Sequence, residues 1–266
     1  MARAPLIRPT DAPPRAHETD AGAAPPAPTT APVDAAQARG DVPRHVAIIM
    51  DGNRRWARNR GASELDGHAA GVEAIREVLR HAVRRGIPVL TLYAFSRENW
   101  ARTDDEVVGL FSLLEQAIRS ETAELRAQGV RVRLLGRLDE LPAATRASIE
   151  SALAATADGG RLVLNIAFNY AGRTELVDAV RDIVRAGTPA DEIDEATIST
   201  ALYTAGLPDP DLVIRTGGEQ RLSNFLIWQS AYAELLTTET LWPDFGPGDL
   251  DDALAEFASR TRRFGR

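Results

Sequence analysis

The sequence predicts an α/β fold, a single domain with a central mostly parallel sheet flanked by helices. Three observations lead there. Short β-prone runs alternate with helical patterns from Arg44 onward, the order that builds parallel sheets covered on both faces. The runs are mostly bounded by turn residues. The chain of 266 residues can bury one large core, with about one to two domains as the expectation for that length.

The predicted strands are residues 46–50, 89–95, 130–135, 162–168 and 212–215. Between them, Val72, Ile75, Val78, Leu79 and Val83 fall on one helical face that ends at Gly86. Val107, Leu110, Phe111, Leu114, Ala117 and Ile118 make a second apolar stripe. Residues 174–185 and 250–262 complete the helices. Residues 1–42 differ in kind. Rich in Ala, Pro and Thr and without an aromatic residue, they cannot bury enough apolar area to offset chain entropy, so a disordered tail is predicted. They lack the apolar core of a secretory signal. The folded domain is residues 43–266.

Composition narrows the function. A net charge of −7 argues against a general nucleic-acid binder. The absence of cysteine excludes disulfides and thiolate metal sites, while a hard cation held by oxygen ligands stays open. The apolar runs are far shorter than the roughly 18 residues of a membrane span, so a soluble, cytoplasmic protein is expected.

In open parallel sheets, ligands gather outside the carboxyl ends of the strands. Asp51, Ser96, Asn169 and Arg215 each stand at or just past a predicted strand end and should converge on one crevice. The first cluster is Asp51-Gly52-Asn53-Arg54-Arg55-Trp56. Gly52 lets the backbone approach a phosphate, and the helix start after it offers unpaired N–H donors. By itself the cluster also fits a capped surface helix with solvated arginines, and His68 fits a helix-start histidine. The second, Ser96-Arg97-Glu98-Asn99-Trp100-Ala101-Arg102, packs hydroxyl, carboxylate, amide, indole and guanidinium groups behind a buried strand. A polar loop capping the helix from Thr103 explains it equally. In the third, a strand delivers Arg215, Gly217 and Gly218 permit a tight phosphate-facing turn, and Arg221 and Ser223 follow. No Gly-Lys-Ser/Thr makes it a nucleotide loop. Glu234, in an apolar setting, needs a metal or a cationic partner.

Together the stretches HVAIIMDGNRRWA, DGHAAG, LTLYAFSRENWAR, NIAFNYAGR, DLVIRTGGEQRLSNFLIWQSAYAEL, LWPDF and RRFG resemble the cis-prenyltransferases, the undecaprenyl diphosphate synthase (isoprenyl transferase) family, over about residues 42–266. The resemblance implies a homodimer with a hydrophobic tunnel beside the sheet. It implies that isopentenyl diphosphate attacks an allylic prenyl diphosphate ionised at C1, and that proton loss leaves a cis double bond. Asp51 would hold Mg²⁺ against the diphosphates, with Glu234 as a second ligand. Gly52, Asn53, Arg54, Arg55 and His68 would line the allylic diphosphate site, with Trp56 and Trp100 as aromatic positions. Arg54 stands where the family often has glycine. Ser96, Asn99 and Arg102 match positions tied to proton removal, within a loop that also carries Arg97 and Glu98. An amide is a poor base, so Asn99 is expected to orient Asp51 or a phosphate oxygen. Arg215, Arg221, Leu222 and Ser223 would bind isopentenyl diphosphate. Arg263-Phe264-Gly265 matches a segment that reaches the partner subunit's phosphate site.

One departure stands out. Glu64 replaces an arginine that many bacterial members carry four residues before His68. A carboxylate there would repel phosphate, so Glu64 should turn away or phosphate binding be redistributed, with Arg58 or Arg60 as substitutes. Small Ala94 beside Leu110, Leu113 and Leu114 suggests an open tunnel and a medium or long product, released slowly and aided by peripheral contact with membrane or detergent. A short-chain or irregular prenyl diphosphate synthase is the alternative that Glu64 keeps open. A non-catalytic prenyltransferase subunit is opposed by the retention of Asp51, Asn53, Arg55 and Arg221.

Overall fold

β1 (His45–Ile49) is buried along its whole length and lies inside the sheet, which explains its unbroken apolar run. The computed structural model describes residues 42–260. The predicted tail, apart from its last residue, and the Arg263-Phe264-Gly265 segment lie outside the described residues. The six strands are β1, β2 (Val89–Ser96), β3 (Val130–Leu135), β4 (Leu162–Tyr170), β5 (Leu212–Arg215) and β6 (Glu234–Thr237). Their order is β3-β4-β2-β1-β5-β6, and every ladder is parallel. From β1 the chain goes first to one side, through β2, and only later to the other, through β5. That reversal opens the crevice between β1 and β5 at their carboxyl ends.

The helices are α1 (Asn53–Asn59), α2 (Glu64–Arg85), α3 (Asp104–Ala127), α4 (Ala143–Ala155), α5 (Gly172–Arg185), α6 (Glu195–Ala201) and α7 (Pro247–Ser259). Ser63 and Asp66 form a reciprocal cap that starts α2, and Gly86, with φ 72°, ends it. Thr103 caps α3 as the loop chemistry predicts. Gly67 and Gly71 let α2 press onto α1. A Cβ at Gly67 would stand 2.3 Å from the Asn53 carbonyl oxygen, and one at Gly71 would stand 2.7 Å from Asn53 Oδ1.

The five predicted strands are present, and three features differ. β6 was not predicted, since four residues opening on a glutamate carry no strand signal of their own. α4 and α6 are also additional, the first Ala-rich and the second only seven residues long. β4 continues through Asn169, which therefore lies inside the strand, fully buried, with φ 51°. It is not a crevice residue. Its side chain accepts from the Trp100 indole at 2.8 Å and donates to the Arg137 carbonyl and Glu140.

Candidate active site

Asp51 stands two residues past β1, and its backbone is pinned from two sides. Its N–H donates to Thr216 Oγ1 at 2.9 Å, while its carbonyl accepts from Thr216 Oγ1 at 2.7 Å and from Trp242 N–H at 3.0 Å. Gly52 follows with φ 117°, and a Cβ there would meet Leu241 at 2.9 Å, so both conformation and space demand glycine. The Asp51 carboxylate is half-buried between two guanidinium groups, Arg215 at 2.8 Å and Arg55 at 3.4 Å.

Arg215 ends β5 and is almost fully buried. Its Nη1 donates to the Arg221 carbonyl at 2.6 Å and to Ser223 Oγ at 2.7 Å. Ser223, Asn224 and Leu226 all have left-handed φ, of 48°, 64° and 43°. This costly conformation in non-glycine residues recurs at binding sites. Here it folds the loop back onto Arg215. Arg221 itself points outward and pairs with Glu219 at 2.5 Å, and Leu222 packs against the core beside Tyr93.

The glycine turn does something other than expected. Gly217 N–H donates to the Thr240 carbonyl at 2.9 Å and Gly218 N–H to the Thr238 carbonyl at 2.8 Å, so neither amide is available to a phosphate. The glycines instead make room. A Cβ at Gly217 would stand 2.3 Å from Arg55 Nη2, and one at Gly218 would stand 2.5 Å from Glu239 Oε2.

A second group closes the site from α1, α2 and α3. His68 Nδ1 accepts from Asn53 Nδ2 at 3.4 Å, while Nε2 lies 3.4 Å from Glu106 Oε1. Buried Glu106 also accepts from Arg102 at 2.7 Å. Burial, then the Arg102 charge, push the His68 pKa below its usual value, against the raising pull of Glu106. Sequence reading passed over Glu106 and Thr216. Glu106 lies one helical turn beyond Arg102, the only available signal.

The loop after β2 is partly committed to structure. Ser96 N–H donates to Asn99 Oδ1 at 2.9 Å, which leaves the Asn99 NH₂ as the free end of that amide. Arg97 pairs with Glu140, and Glu98 accepts from Asn224 at 2.9 Å. Trp100 is buried among Phe95, Phe111 and Phe168, a core residue rather than a group at the mouth. Trp56 is likewise occupied. Its indole donates to Asp244 at 2.7 Å, and the Arg60 guanidinium stacks over the ring at 4.1 Å. Arg60 also pairs with Asp244 at 3.2 Å, so it is not the substitute cation. Glu64 turns to Arg54 at 2.6 Å and neutralises it.

Glu234 is placed away from Asp51. It opens β6 opposite Leu212, at the amino end of β5, whereas Asp51 follows the carboxyl end of β1. Its partner is Arg260, at 2.8 Å. Within one chain the two carboxylates therefore cannot share an ion. Among the described residues no group of three or more His, Cys, Asp or Glu side chains converges as a metal cage.

Below Asn53 and His68 an elongated cavity runs between α2, α3 and the sheet. It holds about 1350 Å³ of empty space, its open mouth included. Val72, Ile75, Leu79, Ala94, Leu110 and Leu114 are among its lining residues. No helix among the described residues is long and apolar enough to cross a membrane.

A carboxylate and guanidinium groups at the head of an apolar bore define a class of protein, one that grips an anionic head and shelters a long apolar tail. The sequence places the chain within that class. Residues 49–265 match a family model described as putative undecaprenyl diphosphate synthase. The chain is 51% identical over 228 residues to an isoprenyl transferase of Heliobacterium mobile, covering 84% of this chain and 88% of that one. An isoprenyl transferase of Brucella abortus is 52% identical, with 84% and 89% covered. Among solved structures, lavandulyl diphosphate synthase from Lavandula x intermedia, in complex with dimethylallyl diphosphate, superposes with a TM-score of 0.82 at 38% identity, covering 85% of this chain and 99% of that one. A probable undecaprenyl diphosphate synthase from Campylobacter jejuni gives 0.73 at 31% identity, covering 84% and 99%. The chain belongs to the undecaprenyl diphosphate synthase family of prenyltransferases.

Proposed function

We propose that the protein is a Mg²⁺-dependent isoprenyl transferase acting in the cytoplasm, which condenses isopentenyl diphosphate with an allylic prenyl diphosphate and builds a cis polyprenyl chain of medium or long size. The observation that carries this reading is the Asp51–Arg215–Arg55 constellation, flanked in the chain by Met50 and Asn53, which line an apolar bore. Arg55, His68 and Asn53 face the allylic side. Arg215, through Arg221 and Ser223, shapes the isopentenyl side. Asn99, with its NH₂ end free, can orient a phosphate oxygen but is not placed to act as a base. The proton then leaves to a diphosphate oxygen or to solvent.

Asp51 suits Mg²⁺. The ion keeps several waters and takes one or two carboxylates plus substrate phosphates rather than a protein cage, which matches a single half-buried carboxylate at the mouth. When bound, it would neutralise diphosphate charge and ease departure of pyrophosphate. Arg55 and Arg215 hold the carboxylate toward the crevice meanwhile.

A homodimer is part of the proposal. Val177, Val180 and Val184 leave an apolar stripe exposed on α5, and Tyr232 is 79% exposed just before edge strand β6. Such a surface fits a second copy. Glu234, too far from Asp51 of its own chain, would reach a site only across that interface. The test is incubation with labelled isopentenyl diphosphate, Mg²⁺ and allylic starters of two, three and four units. Absence of any elongated product would refute the reading. Mixing Asp51→Ala with Glu234→Ala chains should restore part of the activity that neither has alone. No restoration would rule out action of Glu234 across the interface, and full activity of Glu234→Ala alone would place it outside the site.

A further inference from the structure

We propose that two ion pairs joining α2 to α3, Arg76–Glu121 and Arg80–Glu124, set the length at which the growing chain stops; the inference rests on the prenyl-transfer reading above. The two helices run side by side in one direction. Leu65 packs at Gly109 near the mouth, Arg76 meets Glu121 at 2.7 Å further down, and Arg80 meets Glu124 at 2.9 Å deeper still. From His68 to Arg80 the helix advances about 18 Å, at roughly 1.5 Å per residue.

The bore changes character along that path. Its upper part is lined mainly by aliphatic side chains, whereas at its deep end Arg76, Arg80, Glu121, Glu124 and Gln128 join aliphatic residues such as Leu79, Leu125, Val132 and Leu164. Supporting contacts tie the charges in place. Arg76 also bonds Glu73 at 2.5 Å, Arg80 bonds Glu77 at 3.1 Å, and Gln128 donates to Glu124 at 2.7 Å. The same paired side chains are partly exposed, Arg76 at 29%, Glu121 at 19%, Arg80 at 38% and Glu124 at 42%. At that depth charged, ion-paired side chains form part of the wall of the bore.

After each condensation the tail must move deeper by one isoprene unit. Through the aliphatic stretch this movement covers apolar surface and is favoured. At the ion pairs the tip must either strip water from charged groups or part them and enter solvent. Neither move is favoured. Further advance stalls, and release of the finished chain competes successfully.

The experiment compares product length, by chromatography of the dephosphorylated prenols, for the unmodified protein and paired variants. R80L/E124L and R76L/E121L extend the aliphatic lining and should lengthen the main product by one or more isoprene units. The rate of the first condensation and KM for isopentenyl diphosphate should not change. The exchanged pair R80E/E124R, which keeps an ion pair at the same depth, should keep the original length. Glu124→Gln, the mildest change, guards against a folding defect in the leucine variants and should broaden the distribution toward longer chains. Unchanged product length in folded leucine variants and in Glu124→Gln overturns the proposal while leaving prenyl transfer intact. Failure of the unmodified protein to elongate any starter overturns both.

Discussion

Arg215 Nη2 lies 2.8 Å from Asp51 Oδ2, although 163 residues separate them in the chain, and the pair is the hinge of the site. Parallel pairing of β1 with β5, Ile49 opposite Arg215, brings the two strand ends together. Arg215 is only 5% exposed in its side chain and its Nε is buried without a hydrogen-bond partner, whereas Asp51 is 30% exposed. The carboxylate is therefore the half of the pair open to a ligand.

Asp51→Ala should abolish product. It leaves a buried guanidinium short of one partner, at about 1–3 kcal/mol, so the melting temperature should fall by a few degrees while the circular dichroism spectrum is kept. Turnover of labelled isopentenyl diphosphate near the unmodified rate would remove Asp51 from the mechanism.

Glu64→Gln should release Arg54 from its ion pair and turn that guanidinium toward the phosphates. A several-fold lower KM for the allylic substrate is expected. Both partners are nearly half exposed, at 48% and 41%, so stability should change by less than about 1 kcal/mol. An unchanged or higher KM would show that Arg54 does not meet the diphosphate.

Ala94→Leu places a branched side chain in the bore wall, since Ala94 lines the cavity beside Leu110 and Leu114. Product should shorten, because each isoprene unit excluded forfeits about 3–4 kcal/mol of burial at roughly 0.8 kcal/mol per CH₂. Full-length product from a folded variant would mean that the tail passes elsewhere.

His45 predicts an acid limit to stability. Its Nδ1–H donates to the Pro208 carbonyl at 2.8 Å and its Nε2 accepts from Thr91 at 2.7 Å. Burial pushes its pKa down to about 4, outweighing the raising pulls of the Pro208 carbonyl and Asp211. The unfolded chain takes up the proton first, near pH 6.5. The contribution, about 3 kcal/mol, is therefore complete above that pH and lost as the pH falls toward 4. Denaturant melts between pH 7 and 4 should show this slope, and His45→Asn should flatten it. An unaltered slope would assign acid lability to other groups.

The parallel α/β fold and its main strands are legible in the order of residues alone, because buried parallel strands read as unbroken apolar runs and their crossover helices as 3.6-residue stripes. The same order also pointed Asp51, Ser96, Asn169 and Arg215 toward one crevice, since a polar group just beyond an apolar run emerges at a strand end; Asp51 and Arg215 meet there, whereas Asn169 is buried within β4. Which of those polar groups remain open to a ligand depends on how the elements pack. Trp100 and Asn169 are spent on each other, Trp56 and Arg60 on Asp244, Arg54 on Glu64, and the two glycine amides on Thr238 and Thr240. β6 and the distance between Glu234 and Asp51 likewise follow from register, not composition. Residue type states what a side chain can bind; packing fixes which partner is near enough to take it first.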